Sequence, residues 1–211
     1  GATVCNYFGV NDLIKEDDIV KGVIASDLLS GKEYTIKGKA VINATGVFSD
    51  KILKMDNSNA SKLIKPSQGV HIVLDKKFLN GPHAIMVPHT SDGRILFAVP
   101  WNNYVIVGTT DTLMDDILQE PIALEEEVDF ILENAGAYMT HPPSRKDIKS
   151  VFSGLRPLAI DKENEMSTKE ISRHHKVLVS ASGLISVLGG KWTTYRKMAE
   201  DTINTAISVA G

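Results

Sequence analysis

Hydrophobic and polar positions change period several times along this chain, and the changes mark its elements. Thr3 to Val10 and Ile19 to Leu28 are rich in β-branched and apolar residues and predict strands. Ser30-Gly31-Lys32 reads as a turn, after which Glu33 to Lys37 returns as a hairpin partner. Lys39 to Asn43 is a short apolar strand ending in Ala44-Thr45-Gly46, and a helix is expected over Phe48 to Met55, with a polar loop from Asp56 to Ser67. Strand patterns follow at Gly69 to Leu74, Ala84 to Pro88, Arg94 to Trp101 and Tyr104 to Thr109. The turn in Trp101-Asn102-Asn103-Tyr104 makes the last of these a meander. Leu124 to Met139 is helical, with Glu125, Glu126 and Glu127 in a first turn whose dipole favours acids. Ile148 to Ile160 is strand-like, interrupted at Gly154, and Asp161 to Lys169 is a charged loop. Lys176 to Ser180 and Leu184 to Leu188 are strands. Trp192, Tyr195, Met198, Ala199, Thr202, Ile203, Ala206 and Ile207 then recur at helical spacing and predict a packed final helix.

Two layers emerge. Residues 1–59 and 176–211 read as parts of a partial nucleotide-binding α/β domain of Rossmann type, and 60–175 as an inserted domain with an antiparallel sheet and a helix. The expected fold class is α/β plus antiparallel β. The glycine fingerprint G-x-G-x-x-G of a first βαβ unit does not occur in these residues.

The 211 residues suffice for one large domain or two small ones, and 43% hydrophobic content allows a packed core. A net charge of −3 gives no general attraction to nucleic acid or anionic lipid. The single Cys5 rules out an internal disulfide. No apolar run reaches the roughly 18 residues that a membrane span needs, and no signal-peptide pattern is present. The chain starts at Gly1 and reads as an internal piece of a longer protein.

Chemistry concentrates in Gly189-Gly190-Lys191-Trp192-Thr193-Thr194-Tyr195-Arg196. A strand, two glycines and a helix start carrying Lys and two Thr form a layout for holding an anion. Glycine lets a ligand approach the backbone, and the N–H groups and dipole of a helix start favour negative charge. A P-loop would need Gly at 185 and Ser or Thr at 192, where this chain has Ile185 and Trp192, so a nucleotide triphosphatase is not expected. The basic run Arg173-His174-His175-Lys176 reads as a solvated strand end, and no metal-ligand pattern is present.

Four segments in this order and spacing resemble the FAD-dependent glycerol-3-phosphate dehydrogenases, within the D-amino-acid-oxidase-like flavoproteins. They are Val41-Ile42-Asn43-Ala44-Thr45-Gly46, Pro66-Ser67-Gln68-Gly69-Val70-His71-Ile72-Val73, Ser153-Gly154-Leu155-Arg156-Pro157-Leu158, and Gly189 to Arg196. The resemblance covers nearly the whole chain but only the middle of the family's longer polypeptide. It implies FAD as cofactor and oxidation of sn-glycerol 3-phosphate to dihydroxyacetone phosphate by hydride transfer to flavin. It also implies a quinone or another electron acceptor and a cytoplasmic location that extends to a peripheral place at the inner face of the cell membrane; self-association as a homo-oligomer is expected from surface that a first βαβ unit would cover.

The resemblance also assigns roles, each beside a plainer account. Ala44, Thr45 and Gly46 would lie close to FAD, though an ordinary strand-to-helix turn explains the glycine equally well. Val10 would be the strand end against adenine, or simply core. His71, set by alternation on the face opposite Val70 and Ile72, would stand over the flavin as catalytic base; by itself it reads as a hydrogen-bonded sheet residue. Arg156 in an apolar strand needs a partner, either a structural salt bridge or the substrate's oxygens. His71 and Arg156 are expected to face one cavity. Lys191 would hold the substrate phosphate or neutralise reduced flavin, with Gly189, Gly190 and the backbone N–H groups of Thr193 and Thr194 aimed at the ring; otherwise these residues cap a helix. A related flavin oxidase for another hydroxy acid or amino acid, or a non-catalytic binding domain, are the alternatives. The isolated chain is expected to hold FAD poorly, because the fingerprint that grips the pyrophosphate is not among its residues.

Overall fold

Two residues in the left-handed region, Asp17 (φ 50°) and Asp18 (φ 63°), set the first register of the chain. They form a two-residue hairpin loop whose positive φ values match strand twist. Glu16 therefore pairs with Ile19, and counting back places Phe8 opposite Asp27. The first strand, β1, is Phe8–Glu16 rather than the expected Thr3 to Val10. β2 (Ile19–Asp27) and β3 (Glu33–Lys37) follow as expected and complete an antiparallel sheet in the order β1-β2-β3. β4 is only Ile42–Asn43, and α1 is Ser49–Asp56.

The computed structural model describes residues 1–160 and 175–211, which form two compact units, Gly1–Lys65 with Pro157–Gly211 and Pro66–Arg156. Their boundaries fall at 65/66 and 156/157, where the sequence pattern put them at 59/60 and 175/176. The charged loop beyond residue 160, and Arg173 and His174 of the basic run, lie outside the described residues.

The second unit is built on β5 (Ile64–Asp75), β6 (Ile85–Val87), β7 (Leu96–Trp101), β8 (Tyr104–Gly108), β9 (Thr112–Leu113), α2 (Glu125–Gly136) and β10 (Ser150–Ala159). The sheet order is β10-β5-β8-β7-β6, with β9 paired to β5. The polar stretch before Ser67 is thus partly strand, and Gly154 does not interrupt β10. Alternation gives the sheet two unlike faces. Val70, Ile72 and Leu74 of β5, Val105 and Val107 of β8, and Leu96 and Ala98 of β7 are buried against Val128, Ile131, Leu132 and Ala135 of α2. Each fully buried Val, Leu or Ile contributes roughly 1.5–3 kcal/mol relative to exposure. The opposite face carries rows fixed by register: His71, Gly108, Phe97 and Met86, then Val73, Ile106 and Val99. Met86, Phe97 and Val99 are exposed there.

The chain then returns to the first unit through β11 (His175–Val179), β12 (Ile185–Gly189) and α3 (Tyr195–Ala210). β12 is antiparallel to β11 and parallel to β4. In α3 only part of the expected stripe, Met198, Thr202 and Ala206, faces inward. Trp192, just before it, and Tyr195, Ile203 and Ile207 are exposed, while Thr202 and Ala206 are the buried positions. Small side chains let the helix approach its neighbours closely, and Met198 reaches the Gly190 backbone. Among the described residues no helix is long and apolar enough to cross a membrane.

Candidate functional site

β5 and β10 are neighbours in the sheet, and they bring His71 and Arg156 onto one face. The His71 ring lies over Gly108, where an added Cβ would come 2.4 Å from its Cδ2 atom. From the other side Phe152 of β10 stacks on it, with ring centroids 5.0 Å apart and planes 9° from parallel. The Arg156 guanidinium covers Gly69 in the same way, with an added Cβ only 2.3 Å from Nη2. Glycine in a strand interior marks such a close approach. Two residues apart on β5, Gly69 and His71 therefore seat a cation beside an imidazole. The two share one sheet face, and two clefts of this unit, one beside Gly136, Pro142 and Pro143 and one beside Pro121, Ile148 and Val151, are lined by neither.

Arg156 has the partners a charge in an apolar strand needs. Its Nη2 donates to Thr109 Oγ1 at 3.1 Å and its Nη1 to the Thr110 carbonyl at 3.2 Å. Asp111 Oδ1 lies 3.6 Å from Nη1 and accepts a short hydrogen bond from Ser67. The Arg156 side chain as a whole is 38% exposed, so it is anchored and still reachable.

Beneath this edge sits Glu127, 3% exposed. Burial alone would raise its carboxyl, but hydrogen bonds from the Leu124 N–H, Thr112, Thr110 and Gln68 outweigh that and hold it below the ordinary value of 4.5. His71 is held below 6.5, first by burial and then by the charge of Arg156. The imidazole is therefore neutral, and able to accept a proton, down to a lower pH than a free histidine. Both shifts make acid destabilising. Below 6.5 the unfolded chain protonates His71 while the folded chain does not, so stability falls as pH falls toward the folded value. The Glu127 contribution is present above 4.5 and is lost as pH drops through its folded value. Urea midpoints are expected to fall between about pH 7 and about pH 5, and His71→Gln to flatten that slope. An unchanged slope would remove the assignment to His71.

The other expected site residues lie in the first unit. Asn43 and Ser186 are register partners on parallel β4 and β12, so Ala44-Thr45-Gly46 and Gly189-Gly190 follow the carboxyl ends of adjacent parallel strands. Open α/β sheets take ligands at that edge. Gly46 (φ 59°), Gly189 (φ 68°) and Gly190 (φ 78°) are all left-handed. Space beside Gly46 is open, whereas a Cβ at Gly190 would strike Met198. Buried Asn43 fixes the first turn by donating to the Ser49 carbonyl and Ser186 Oγ and accepting from Thr45 Oγ1.

The expected anion cradle differs in detail. The Lys191 N–H donates to Thr194 Oγ1 and the Thr194 N–H to the Lys191 carbonyl, so neither is directed at a ligand. The Lys191 and Thr193 side chains are exposed. Val10 is not a strand end: it is the third residue of β1 and packs on the core of Leu13, Val20, Ile52, Leu53 and Leu184. Of the basic run, His175 pairs with Asp201 of α3 at 2.9 Å.

Sequence reasoning did not find Gly69, Gly108, Phe152, Thr109, Thr110, Asp111 or Glu127. A signal existed for the two glycines, each inside a β-rich run. None existed for Glu127, whose position in an acidic first turn matches that of the exposed Glu125 and Glu126.

The family described as FAD dependent oxidoreductase matches residues 1–196. The mitochondrial glycerol-3-phosphate dehydrogenase of Homo sapiens is 43% identical over 215 residues, covering 98% of this chain and 29% of that protein. The corresponding protein of Schizosaccharomyces pombe is 40% identical over 225 residues, covering 98% of this chain and 35% of that protein. The chain thus spans about a third of the length of the curated relatives it matches. The glycerol-3-phosphate dehydrogenase of Bacillus halodurans, solved with FAD, superposes with a TM-score of 0.84 at 36% identity, over 97% of this chain and 39% of that one. Glycine oxidase of Bacillus cereus shares the fold at a TM-score of 0.61 and 18% identity, over 96% of this chain and 49% of that one.

Proposed function

Because the chain belongs to the FAD dependent oxidoreductase family, we propose that its protein oxidises sn-glycerol 3-phosphate to dihydroxyacetone phosphate. The observation that carries this reading is the neutral His71 beside the anchored, reachable Arg156 on one sheet face. The relatives named for this reaction support the choice of substrate.

FAD supplies the two-electron acceptor for the C2 hydride when bound. The open side of Gly46 and the left-handed backbone at Gly46, Gly189 and Gly190 suit a planar group or phosphate lying against the carboxyl ends of β4 and β12. His71 takes the C2 hydroxyl proton on an imidazole nitrogen. Its lowered pKa keeps it unprotonated at neutral pH, and Phe152 and the Gly108 backbone hold its ring plane. Arg156, whose side chain is over a third exposed, is directed to the substrate's oxygens in this reading and favours negative charge as the proton leaves. Lys191, whose side chain is exposed, is the second cation of this reading, for the phosphate or the reduced cofactor. In this reading a quinone or another acceptor takes the electrons onward, and the protein is cytoplasmic or peripheral at the inner face of the cell membrane.

The test is anaerobic reduction of the flavin in the full-length protein. Glycerol 3-phosphate is expected to bleach the flavin band, with kcat/KM rising with pH to a plateau and the midpoint of the rise below about 6.5. Bleaching by an amino acid and not by glycerol 3-phosphate would overturn the reading. His71→Asn is expected to remove the limb together with most of the rate.

A further inference from the structure

Glu127 is a carboxylate at 3% exposure whose four hydrogen-bond donors are all neutral. Oε1 accepts from Thr110 Oγ1 at 2.8 Å and Thr112 Oγ1 at 2.7 Å. Oε2 accepts from Gln68 Nε2 at 2.7 Å and the Leu124 N–H at 3.0 Å. Taking a carboxylate out of water is costly, and a plain core would use an apolar residue there. The cost is offset only while every acceptor position is filled, and here both oxygens receive two donors.

Those donors come from three places in the unit: β5 through Gln68, the segment after β8 through Thr110 and Thr112, the latter opening β9, and the N-cap of α2 through Leu124. The segment after β8 also holds Arg156. Thr110 is gripped by its side chain, with its hydroxyl donating to Glu127 and accepting from the Val70 N–H at 3.0 Å. Its carbonyl, on the same residue, accepts from Arg156 Nη1. Thr109 and Asp111, on either side, are further partners of the guanidinium. A shift of this segment therefore moves three acceptors of Arg156 at once.

We propose that Glu127 is a positioning residue for Arg156: its buried carboxylate locks the 109–112 segment to β5 and α2 and so fixes where the guanidinium stands beside His71. This rests on the reading of Arg156 as the cation that meets the substrate. In Glu127→Gln the NH2 either faces the Gln68 and Leu124 donors or reverses the bonds to the Thr110 and Thr112 hydroxyls, which must rotate to accept, so the charge-assisted hold on Thr110 is lost either way. Aspartate keeps the charge and loses reach.

The experiment uses the full-length protein labelled with 13C at histidine Cε1, with the His71 resonance identified by its loss in His71→Asn. Since the charge of Arg156 helps hold the His71 pKa down, His71 reports where the guanidinium is. In Glu127→Gln, His71 is expected to titrate closer to its ordinary value, and flavin reduction by glycerol 3-phosphate to slow by about tenfold or more. Glu127→Asp is expected to recover part of both. On an Arg156→Ala background, Glu127→Gln should cost nothing further, within about twofold, because the group it positions is gone. Thr110→Ala removes the gripped hydroxyl and leaves Glu127 three donors; it should shift His71 in the same direction and decides the matter if Glu127→Gln does not fold. An unmoved His71 titration in folded Glu127→Gln or in Thr110→Ala, or losses that multiply on the Arg156→Ala background, would overturn the proposal. The titration needs no substrate, so it stands or falls separately from the substrate assignment.

Discussion

Arg156→Ala in the full-length protein is expected to lower kcat and kcat/KM for glycerol 3-phosphate together, by about 2–4 kcal/mol of transition-state stabilisation, with the flavin still bound. The guanidinium is anchored on Thr109, Thr110 and Asp111, and the side chain as a whole is more than a third exposed. Removing it takes away a cation poised at this face without emptying the core, since the buried layer of this unit lies on the opposite side of the sheet. Asp111 keeps its hydrogen bond from Ser67. Steady-state kinetics with the flavin absorbance as an occupancy check tests this. Near-normal kinetics would return Arg156 to the role of a structural ion pair, as would loss of FAD with loss of the fold.

The second large effect is expected from Gly69→Ala, which leaves every charged group in place. The new Cβ would stand 2.3 Å from Arg156 Nη2 and 2.7 Å from Cζ. Those atoms are the far end of a flexible side chain, so the guanidinium swings away and the sheet stays as it is. Activity is expected to fall to within about tenfold of the Arg156→Ala value, with the urea midpoint nearly unchanged. Gly108→Ala provides the contrast. Its Cβ would meet His71 Cδ2 at 2.4 Å and the Val70 carbonyl oxygen at 2.8 Å. The imidazole is flanked by Phe152 on its other side and the carbonyl is backbone, so neither can step aside. That variant should lose stability, by about 1–3 kcal/mol as overpacked sites do, as well as activity. Equal stability losses in the two variants would refute the argument.

Much of the fold is legible in short-range pattern. β2, β3, α1 and α2, and the hairpin at Asn102 and Asn103, stand within a few residues of where periodicity and turn chemistry put them. Period 2 also sets His71 apart from Val70 and Ile72 correctly, because it is a property of any extended strand. β1 was misplaced because its polar half, Asn11 to Glu16, carries little apolar signal. Its register is dictated by two consecutive left-handed aspartates, residues that seldom announce such a turn. The apolar stripe of α3 has the right period, yet period says nothing of which side meets the sheet.

What the sequence determined by itself was the element types and the strand faces, set by local backbone geometry and side-chain period, while the candidate site segments were marked out by resemblance to a family. The partners of Arg156, 45 to 47 residues away at Thr109, Thr110 and Asp111, were decided by tertiary structure. So was the difference between Glu127, buried under four donors, and its two exposed neighbours, Glu125 and Glu126. The physical reason is the same in both. A buried or half-buried charge is tolerated only where distant segments converge to solvate it, and that convergence depends on strand order and register, which no window of local sequence contains.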